Sequence, residues 1–113
     1  NHPSDDPEKI SIPSEDGYSL LDLNTIIFIE AVANYSKLYL TNGKKPLIVR
    51  SLKEFEEMLP PKRFIRVHHS FIINFHHAKR YQKGRGGVVE MTNGARIEVA
   101  VRKRADFLAR FGS

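Results

Sequence analysis

The residues best suited to chemistry in this chain are concentrated in residues 64–77, FIRVHHSFIINFHH. This mostly apolar stretch contains four histidines, an arginine, a serine and an asparagine. Imidazole side chains serve as metal ligands, as general acids and bases, and as hydrogen-bonding groups toward nucleic acid. The neighbouring residue types and their spacing decide among these chemistries.

Metal binding and catalysis are both disfavoured by the residues around the histidines. The chain has no cysteine, and the paired histidines are adjacent, so on a strand their side chains would leave on opposite faces. Ser70 follows His69 as a nucleophile could follow a base, but no acid lies within ten residues of Ser70 to orient that base. We therefore expect no metal, no cofactor and no enzymatic activity.

Charge is distributed unevenly along the 113 residues. Residues 1–30 hold seven acids and one lysine, a net charge of −6, whereas residues 31–113 hold six acids and seventeen Lys or Arg, a net charge of +11. This asymmetry favours a polyanionic partner, with nucleic acid first. No apolar run approaches the ~20 residues of a membrane span, so we expect a cytoplasmic domain without membrane contact.

The order of apolar runs and turn signals predicts a mostly β domain over residues 8–113, preceded by a polar linker at residues 1–7. The segments EKISIP, YSLLDL and TIIFIEA are predicted strands. TIIFIEA is nearly continuous in apolar residues, which predicts a central strand covered on both faces. Two hairpins are predicted, SKLYLTNGKKPLIV and GVVEMTNGARIEV, because Asn-Gly suits the positive φ angles of a tight turn.

Two short helices complete the expected fold. The first, SLKEFEEML, opens with a capping box between Ser51 and Glu54 and is stopped by Pro60 and Pro61. Its apolar residues share one face: Leu52, Phe55 and Leu59. A C-terminal helix is predicted to begin near Arg102 and to end at Gly112. The residues expected on its apolar face are Val101, Ala105, Leu108 and Phe111.

Three motifs in this order are similar to a known family: IEA-x3-Y, SL-x-E-x4-LP and F-I-R-V-H-x-S-x3-N, followed by TNG and a short basic tail. The chain resembles, over residues 8–113, the LytTR DNA-binding domain of bacterial response regulators. The resemblance implies small antiparallel β-sheets stacked lengthwise, with one short internal helix and a short C-terminal helix. It also implies sequence-specific binding of duplex DNA by a transcription regulator, through loops that enter the major groove.

The resemblance further implies partners for the full-length protein. We expect double-stranded DNA as the ligand and a receiver domain upstream of Asn1. Repeated sites on the duplex would allow a dimer. Two other functions remain open from the residues alone: a basic β module that binds RNA or single strands, and a protein-interaction domain. The first of these needs aromatic side chains exposed on a sheet, whereas most aromatics here lie within apolar runs.

The loop ANYSK is the first candidate for DNA contact that the resemblance implies. Asn34 and Ser36 can both donate and accept hydrogen bonds, which suits base edges, and Lys37 can donate to guanine or phosphate. Tyr35 is expected to pack against the protein.

The segment HHS is the second candidate. The resemblance gives His68 a structural role, with both ring nitrogens hydrogen-bonded inside a polar network. His69 is expected either to face DNA or to be an ordinary surface residue, and Ser70 to donate to a phosphate. Asn74 is expected to fix the local turn through side chain to backbone bonds, and His76 and His77 to lie on the surface.

The third candidate is VAVRKR, residues 99–104. Ala100 and Val101 replace a serine and an arginine that are common in the family. Arg102 remains as the expected reader of a guanine, because a guanidinium matches guanine O6 and N7 in a bidentate way. Lys103 and Arg104 are expected to anchor the phosphate backbone.

Overall fold

The computed structural model describes residues 8–14, 16–84 and 87–111. The expected linker at residues 1–7 and the expected helix end at Gly112 lie outside these ranges. Ten strands and two α-helices occur within them. The strands are β1 (Lys9–Ser14), β2 (Gly17–Asp22), β3 (Ile26–Val32), β4 (Tyr35–Leu40), β5 (Leu47–Ile48), β6 (Phe64–His68), β7 (Phe71–Asn74), β8 (Ala78–Gln82), β9 (Val88–Met91) and β10 (Arg96–Glu98), and the helices are α1 (Leu52–Met58) and α2 (Arg104–Phe111).

The strands form three antiparallel sheets, which confirms the mostly β architecture expected from the sequence. β1 and β2 make a two-stranded ribbon, β8, β9 and β10 make a three-stranded sheet, and the other five strands make a central sheet in the order β5-β4-β3-β7-β6. Three short 3₁₀ turns connect these elements: Leu23–Thr25, Phe75–His77 and Val101–Lys103.

The central sheet separates two hydrophobic cores. One core joins the sheet to the β1–β2 ribbon and α1, with Ile10, Ile12, Ile29, Leu38, Leu52 and Phe55 among its buried residues. The other joins the sheet to the three-stranded sheet and α2, with Phe28, Val67, Ile73, Val89, Ile97 and Phe107 among its buried residues. Because β3 contributes to both cores and its first four residues are buried, the expected doubly covered central strand is confirmed.

Helix α1 forms as its sequence predicts. The Ser51 hydroxyl accepts from the Glu54 amide at 3.2 Å, and the Glu54 carboxylate accepts from the Ser51 amide at 3.0 Å. This capping box satisfies two amides that the first helical turn leaves without partners. Leu52, Phe55 and Leu59 are all buried against the central sheet. The confirmed helix therefore covers the sheet beside its β3–β4 end.

Helix α2 buries a different face from the one predicted. Phe107 is fully buried, whereas Val101 is 75% exposed and Leu108 is 40% exposed. Phe107 lies among three other rings, with centroid distances of 5.7 Å to Phe75, 5.4 Å to Tyr81 and 5.1 Å to Phe111. The expected face of Val101, Ala105 and Leu108 is wrong, because a 3₁₀ turn occupies Val101–Lys103 and shifts the start of the α-helix to Arg104.

The two TNG turns have the same geometry. In each turn only the glycine among the described turn residues has positive φ, 86° at Gly43 and 90° at Gly94. Each asparagine carboxamide accepts the amide two residues later, with Asn42 bonded to Lys44 at 2.9 Å and Asn93 to Ala95 at 3.1 Å. Glycine therefore supplies the left-handed backbone, and asparagine supplies a side-chain bond that closes the turn.

Candidate nucleic-acid interface

The three candidate loops lie at one end of the central sheet. β3 runs antiparallel to both β4 and β7, so the end of β3 lies beside the start of each of those strands. The β3–β4 turn, Ala33–Asn34, and the β6–β7 turn, His69–Ser70, therefore occur at the same sheet edge. Residues 100–104 follow β10 and reach this edge through β6.

Backbone hydrogen bonds fix the loops relative to each other. The Ala31 amide donates to the Ser70 carbonyl at 2.8 Å, which joins the first loop to the second. The Ala100 amide donates to the Val67 carbonyl at 2.7 Å, which joins the third loop to β6. Loops held by buried strands in this way present a fixed set of donors to a ligand, so little ordering entropy is lost on binding.

Asn34 is exposed at the tip of the first loop, as a base or phosphate contact requires. The β3–β4 connection has only two residues, since Val32 pairs directly with Tyr35. Its first residue, Ala33, has φ of 55°, a left-handed conformation that is uncommon for a residue with a side chain. Tyr35 is 43% exposed, so the expectation that it packs against the protein is not met in full.

Ser36 is fully buried, and the expected base contact by its hydroxyl is wrong. The hydroxyl donates to the Arg50 carbonyl at 2.6 Å, and Ser36 shares its face of β4 with the buried Leu38 and Leu40. Lys37 leaves on the other face, where its Nζ lies 5.4 Å from the centre of the Tyr39 ring. Lys37 is half-buried, and its ammonium group lies against the Tyr39 ring.

The two histidines share one side of the chain instead of opposite faces. β6 ends at His68 and His69 lies in the following turn, so strand alternation no longer applies. Their rings lie 4.4 Å apart with an interplanar angle of 31°. His68 Nδ1 accepts from the Ser70 amide at 3.2 Å, which closes the turn, but Nε2 has no hydrogen-bond partner within the described ranges. The expectation of two bonded nitrogens in His68 is therefore wrong for the described part of the protein.

The cationic residues of the third loop differ in exposure and in hydrogen bonding to the rest of the protein. Arg102 is exposed, and Lys103 is half-buried beside it. Arg104 is also half-buried, and its Nε donates to the Val99 carbonyl at 3.4 Å, so part of its guanidinium is bound to its own chain. Ser70 is half-buried, with its hydroxyl free of partners among the residues described.

A shallow depression of about 180 Å³ brings two of the loops together. Its lining includes His68, His69, Arg102 and Lys103, with Glu56 as the acidic residue at its side. A second depression of about 310 Å³ lies between the β3–β4 turn and the start of α1. Arg66 lines both depressions. This surface is open and cationic, which suits a phosphate backbone better than an enclosed small molecule.

Arg66 is the residue of this surface that sequence reasoning missed. Its Nη2 donates to the His69 carbonyl at 2.7 Å, and its Nη1 lies 3.3 Å from the Glu56 carboxylate. Arg66 therefore holds the His69 turn against α1. The alternation of β6 marks it only as a residue outside the core, because one partner, Glu56, comes from α1 and the other is a backbone carbonyl in the turn after β6. Within the described ranges, no group of three or more potential ligands is arranged to hold a metal ion.

Comparison with known proteins agrees with this geometry. The family described as the LytTr DNA-binding domain matches residues 16–112. The chain therefore belongs to the LytTR family of DNA-binding domains, and the resemblance read from its motifs is confirmed. Its fold is similar to that of the LytTr DNA-binding domain of a putative methyl-accepting/DNA response regulator from Bacillus cereus, with a TM-score of 0.79 and 26% identity over 95% of this chain and 99% of that one.

Curated relatives include two transcriptional regulators. The CO-responsive transcriptional regulator RcoM of Rhodospirillum rubrum is 35% identical over 66% of this chain, and the transcriptional regulatory protein LytR of Staphylococcus aureus is 30% identical over 93% of it. The chain spans 32% of the length of RcoM and 43% of the length of LytR. Neither α-helix of the described residues has the length and hydrophobicity of a membrane-spanning segment.

Proposed function

We propose that this domain binds duplex DNA sequence-specifically by placing its three loops against one side of the double helix. The observation that carries the proposal is that backbone bonds from Ala31 to Ser70 and from Ala100 to Val67 hold the three loops at one sheet end. These loops carry Asn34, His69 and Arg102. These side chains carry donors and acceptors of the kinds that read base edges in the major groove.

Roles follow from the exposure and the freedom of each group. Arg102 is assigned to guanine, because it is exposed and its guanidinium forms two parallel donors. His69 and Asn34 are assigned to base or phosphate contacts, since both are exposed at loop tips. Lys37, Ser70, Lys103 and Arg104 are assigned to phosphates, with Arg104 the weakest because of its bond to Val99. Ser36 is assigned no contact with DNA, because its hydroxyl is buried and bonded to Arg50.

The full-length protein, in this proposal, is a cytoplasmic transcription regulator with a receiver domain upstream of this one. The similarity to LytR and to the response regulator of Bacillus cereus supports that arrangement. Repeated sites would place two copies of the domain on one duplex.

The test is a titration of three proteins against a duplex selected from random sequence and its single-base variants. Arg102→Ala removes the bidentate donor without removing packing, so affinity for the selected duplex falls by about 1–3 kcal/mol and one guanine preference is lost. Lys103→Ala weakens all duplexes alike and reduces the salt slope by about one unit. For the wild type, neutralising about five phosphates gives a slope of log K against log salt of roughly −4 to −5.

If Arg102→Ala weakens binding to cognate and scrambled duplexes equally, Arg102 does not read a base. A salt slope near zero for all duplexes would count against the whole interface. Single-stranded DNA and RNA titrated at the same salt concentration separate duplex binding from the stacking mode of single-strand modules.

A further inference from the structure

Val101 is an exposed aliphatic residue between two residues, Ala100 and Arg102, that line the cationic depression. It is 75% exposed, although valine is among the residues most often buried in proteins. The helix that follows buries Phe107 instead, so Val101 has no place in the core. Its neighbours in the chain are Ala100, whose amide is bonded to β6, and Arg102, the proposed guanine reader.

The backbone around Val101 is fixed before any ligand binds. The Ala100 amide donates to Val67 at 2.7 Å, and the Lys103 amide donates to Ala100 at 2.8 Å. The Val101 carbonyl accepts from the Arg104 amide, which closes the 3₁₀ turn. Valine is also stiff about its first side-chain torsion, because two methyl groups branch from Cβ. Its methyl groups are therefore held in place at little entropic cost when they contact a ligand.

The major groove offers one apolar group to such a residue. Thymine carries a 5-methyl group there, and the other bases present hydrogen-bonding atoms that valine cannot satisfy. A valine adjacent to a guanine-reading arginine would therefore favour a thymine close to that guanine and disfavour cytosine at the same position. The family arginine that Val101 replaces would favour a hydrogen-bonding base instead.

We propose that Val101 is a specificity-determining residue that contacts the 5-methyl group of a thymine next to the base bound by Arg102. This inference rests on the proposed function and refines it: the recognition unit of the third loop is a neighbouring thymine and guanine, read by one aliphatic and one guanidinium side chain. The contact needs no movement of the turn, since Val101 is already exposed in the unbound protein.

Deoxyuridine isolates the methyl group, because it pairs as thymine does and lacks only that group. Each thymine of the selected duplex is replaced in turn by deoxyuridine, and the wild type and Val101→Ala are titrated against the set. For the wild type, one replacement beside the Arg102-dependent guanine lowers affinity by about three- to fourfold, the value of one buried methyl. Val101→Ala binds the thymine duplex more weakly by a similar factor and no longer distinguishes thymine from deoxyuridine at that position.

Val49→Ala is the matched control, since Val49 is 71% exposed and lines a groove with Pro46 and Ile12, outside the depression that Arg102 and Lys103 line. It is expected to keep the full discrimination between thymine and deoxyuridine. The proposal is overturned if Val101→Ala still discriminates like the wild type, or if the selected duplex contains no thymine whose methyl group affects affinity. Either result leaves the role of Arg102 and duplex binding intact. The absence of any preferred duplex overturns the inference and the proposed function together. Melting temperatures of both variants confirm that neither change acts through folding.

Discussion

Asn34 and Asn74 lie at opposite ends of the central sheet, and the same carboxamide is used differently at each end. Asn74 is fully buried: its Nδ2 donates to the Ile26 carbonyl at 2.9 Å and to the Leu23 carbonyl at 3.3 Å, and its Oδ1 accepts from the His76 amide at 2.9 Å. The expectation that Asn74 fixes its local turn is confirmed. Asn34 is exposed, with no such set of bonds within the described residues.

The histidines repeat this contrast. At the far end, His77 Nε2 lies 2.7 Å from the Asn24 carbonyl and Nδ1 lies 3.0 Å from the Thr92 hydroxyl. A carbonyl only accepts, so Nε2 carries a proton and donates to Asn24, while Nδ1 is hydrogen-bonded to the Thr92 hydroxyl. The expectation that His77 is a surface residue is therefore only partly met, since it is half-buried and bonded through both nitrogens. At the loop end, His68 Nε2 and the ring nitrogens of His69 have no hydrogen-bond partner among the described residues.

This contrast separates the polar residues that stabilise the fold from those that are available to a ligand. Buried polar groups with every atom bonded stabilise the structure they belong to, and their loss leaves partners without bonds. When a ligand binds, exposed donors at the loop end exchange bound water for the ligand, and this exchange has little effect on the stability of the fold. The residue type alone gives neither assignment, because both ends use asparagine and histidine.

The largest effect that we expect concerns the two asparagines. Asn74→Ala removes the buried bonds to the Ile26 carbonyl, the Leu23 carbonyl and the His76 amide, of which the Leu23 carbonyl keeps the Ile26 amide as a donor. The free energy of unfolding should therefore fall by about 2–3 kcal/mol. Asn34→Ala should change it by less than about 0.5 kcal/mol while lowering affinity for duplex DNA. Denaturant unfolding of both variants measures the first quantity. If Asn34→Ala unfolds at a lower denaturant concentration than Asn74→Ala, the roles that we assign to the two asparagines are reversed.

A smaller effect is expected for the histidines. His77→Ala removes the bonds to Asn24 and Thr92 near the protein surface, so unfolding should become easier by about 1 kcal/mol with DNA affinity unchanged. His69→Ala should do the opposite, weakening DNA binding at constant stability. Thr92→Val is the control, because it keeps the bond to Asn24 and should show roughly half the loss. If His77→Ala impairs binding as much as His69→Ala does, the interface extends beyond the loop end.

The smallest effect that we expect concerns Tyr39 and Glu30, a hydrogen-bonded pair that lies at neither end of the central sheet. Burial, the hydrogen bond from Tyr39 Oη to Glu30 at 2.7 Å and the charge of Glu30 together raise the pKa of Tyr39 to about 12. Between the ordinary tyrosine pKa of about 10 and this value, the unfolded chain loses a proton that the folded protein keeps. Stability should therefore decline as pH rises through that interval and should be unaffected below it.

Denaturant midpoints at about pH 9 and pH 11 test this expectation, with Tyr39→Phe as the variant that lacks the ionisation. The wild type should lose more stability than Tyr39→Phe between the two pH values. In Glu30→Gln, an absorbance titration should show the pKa of Tyr39 lowered part of the way, since burial is the largest cause and remains. An unchanged titration would remove Glu30 from the explanation.

The fold could be predicted where local pattern and burial agree. The continuous apolar run of β3 and the capping box of α1 were sufficient, because each depends on residues close in sequence. Helix α2 contained two apolar stripes, and the sequence did not show that a 3₁₀ turn would place Phe107 inward and Val101 outward. A three-residue turn rotates the helix that follows, so spacing counted from Val101 selected the wrong stripe.

The candidate site was only partly predictable for the same reason. The signal that would have excluded Ser36 was present, since Ser36, Leu38 and Leu40 alternate along YSKLYL and share the inward face. The resemblance indicated the three loops, but no local pattern joins Ala100 to Val67 or Ala31 to Ser70. These bonds connect segments through the tertiary fold, and they determine which side chains stand together.

The position of Glu8 has a practical consequence for measuring DNA binding. The Glu8 carbonyl accepts from the Leu23 amide at 2.9 Å, just before β3 begins, while the loops follow the other end of that seven-residue strand. At ~3.3 Å per residue, about 20 Å separates the two ends. Because the chain has no cysteine, Glu8→Cys would provide a single thiol for a fluorescent label at an exposed residue. Energy transfer from that label to dyes at either end of the duplex would report which way the domain lies on its site.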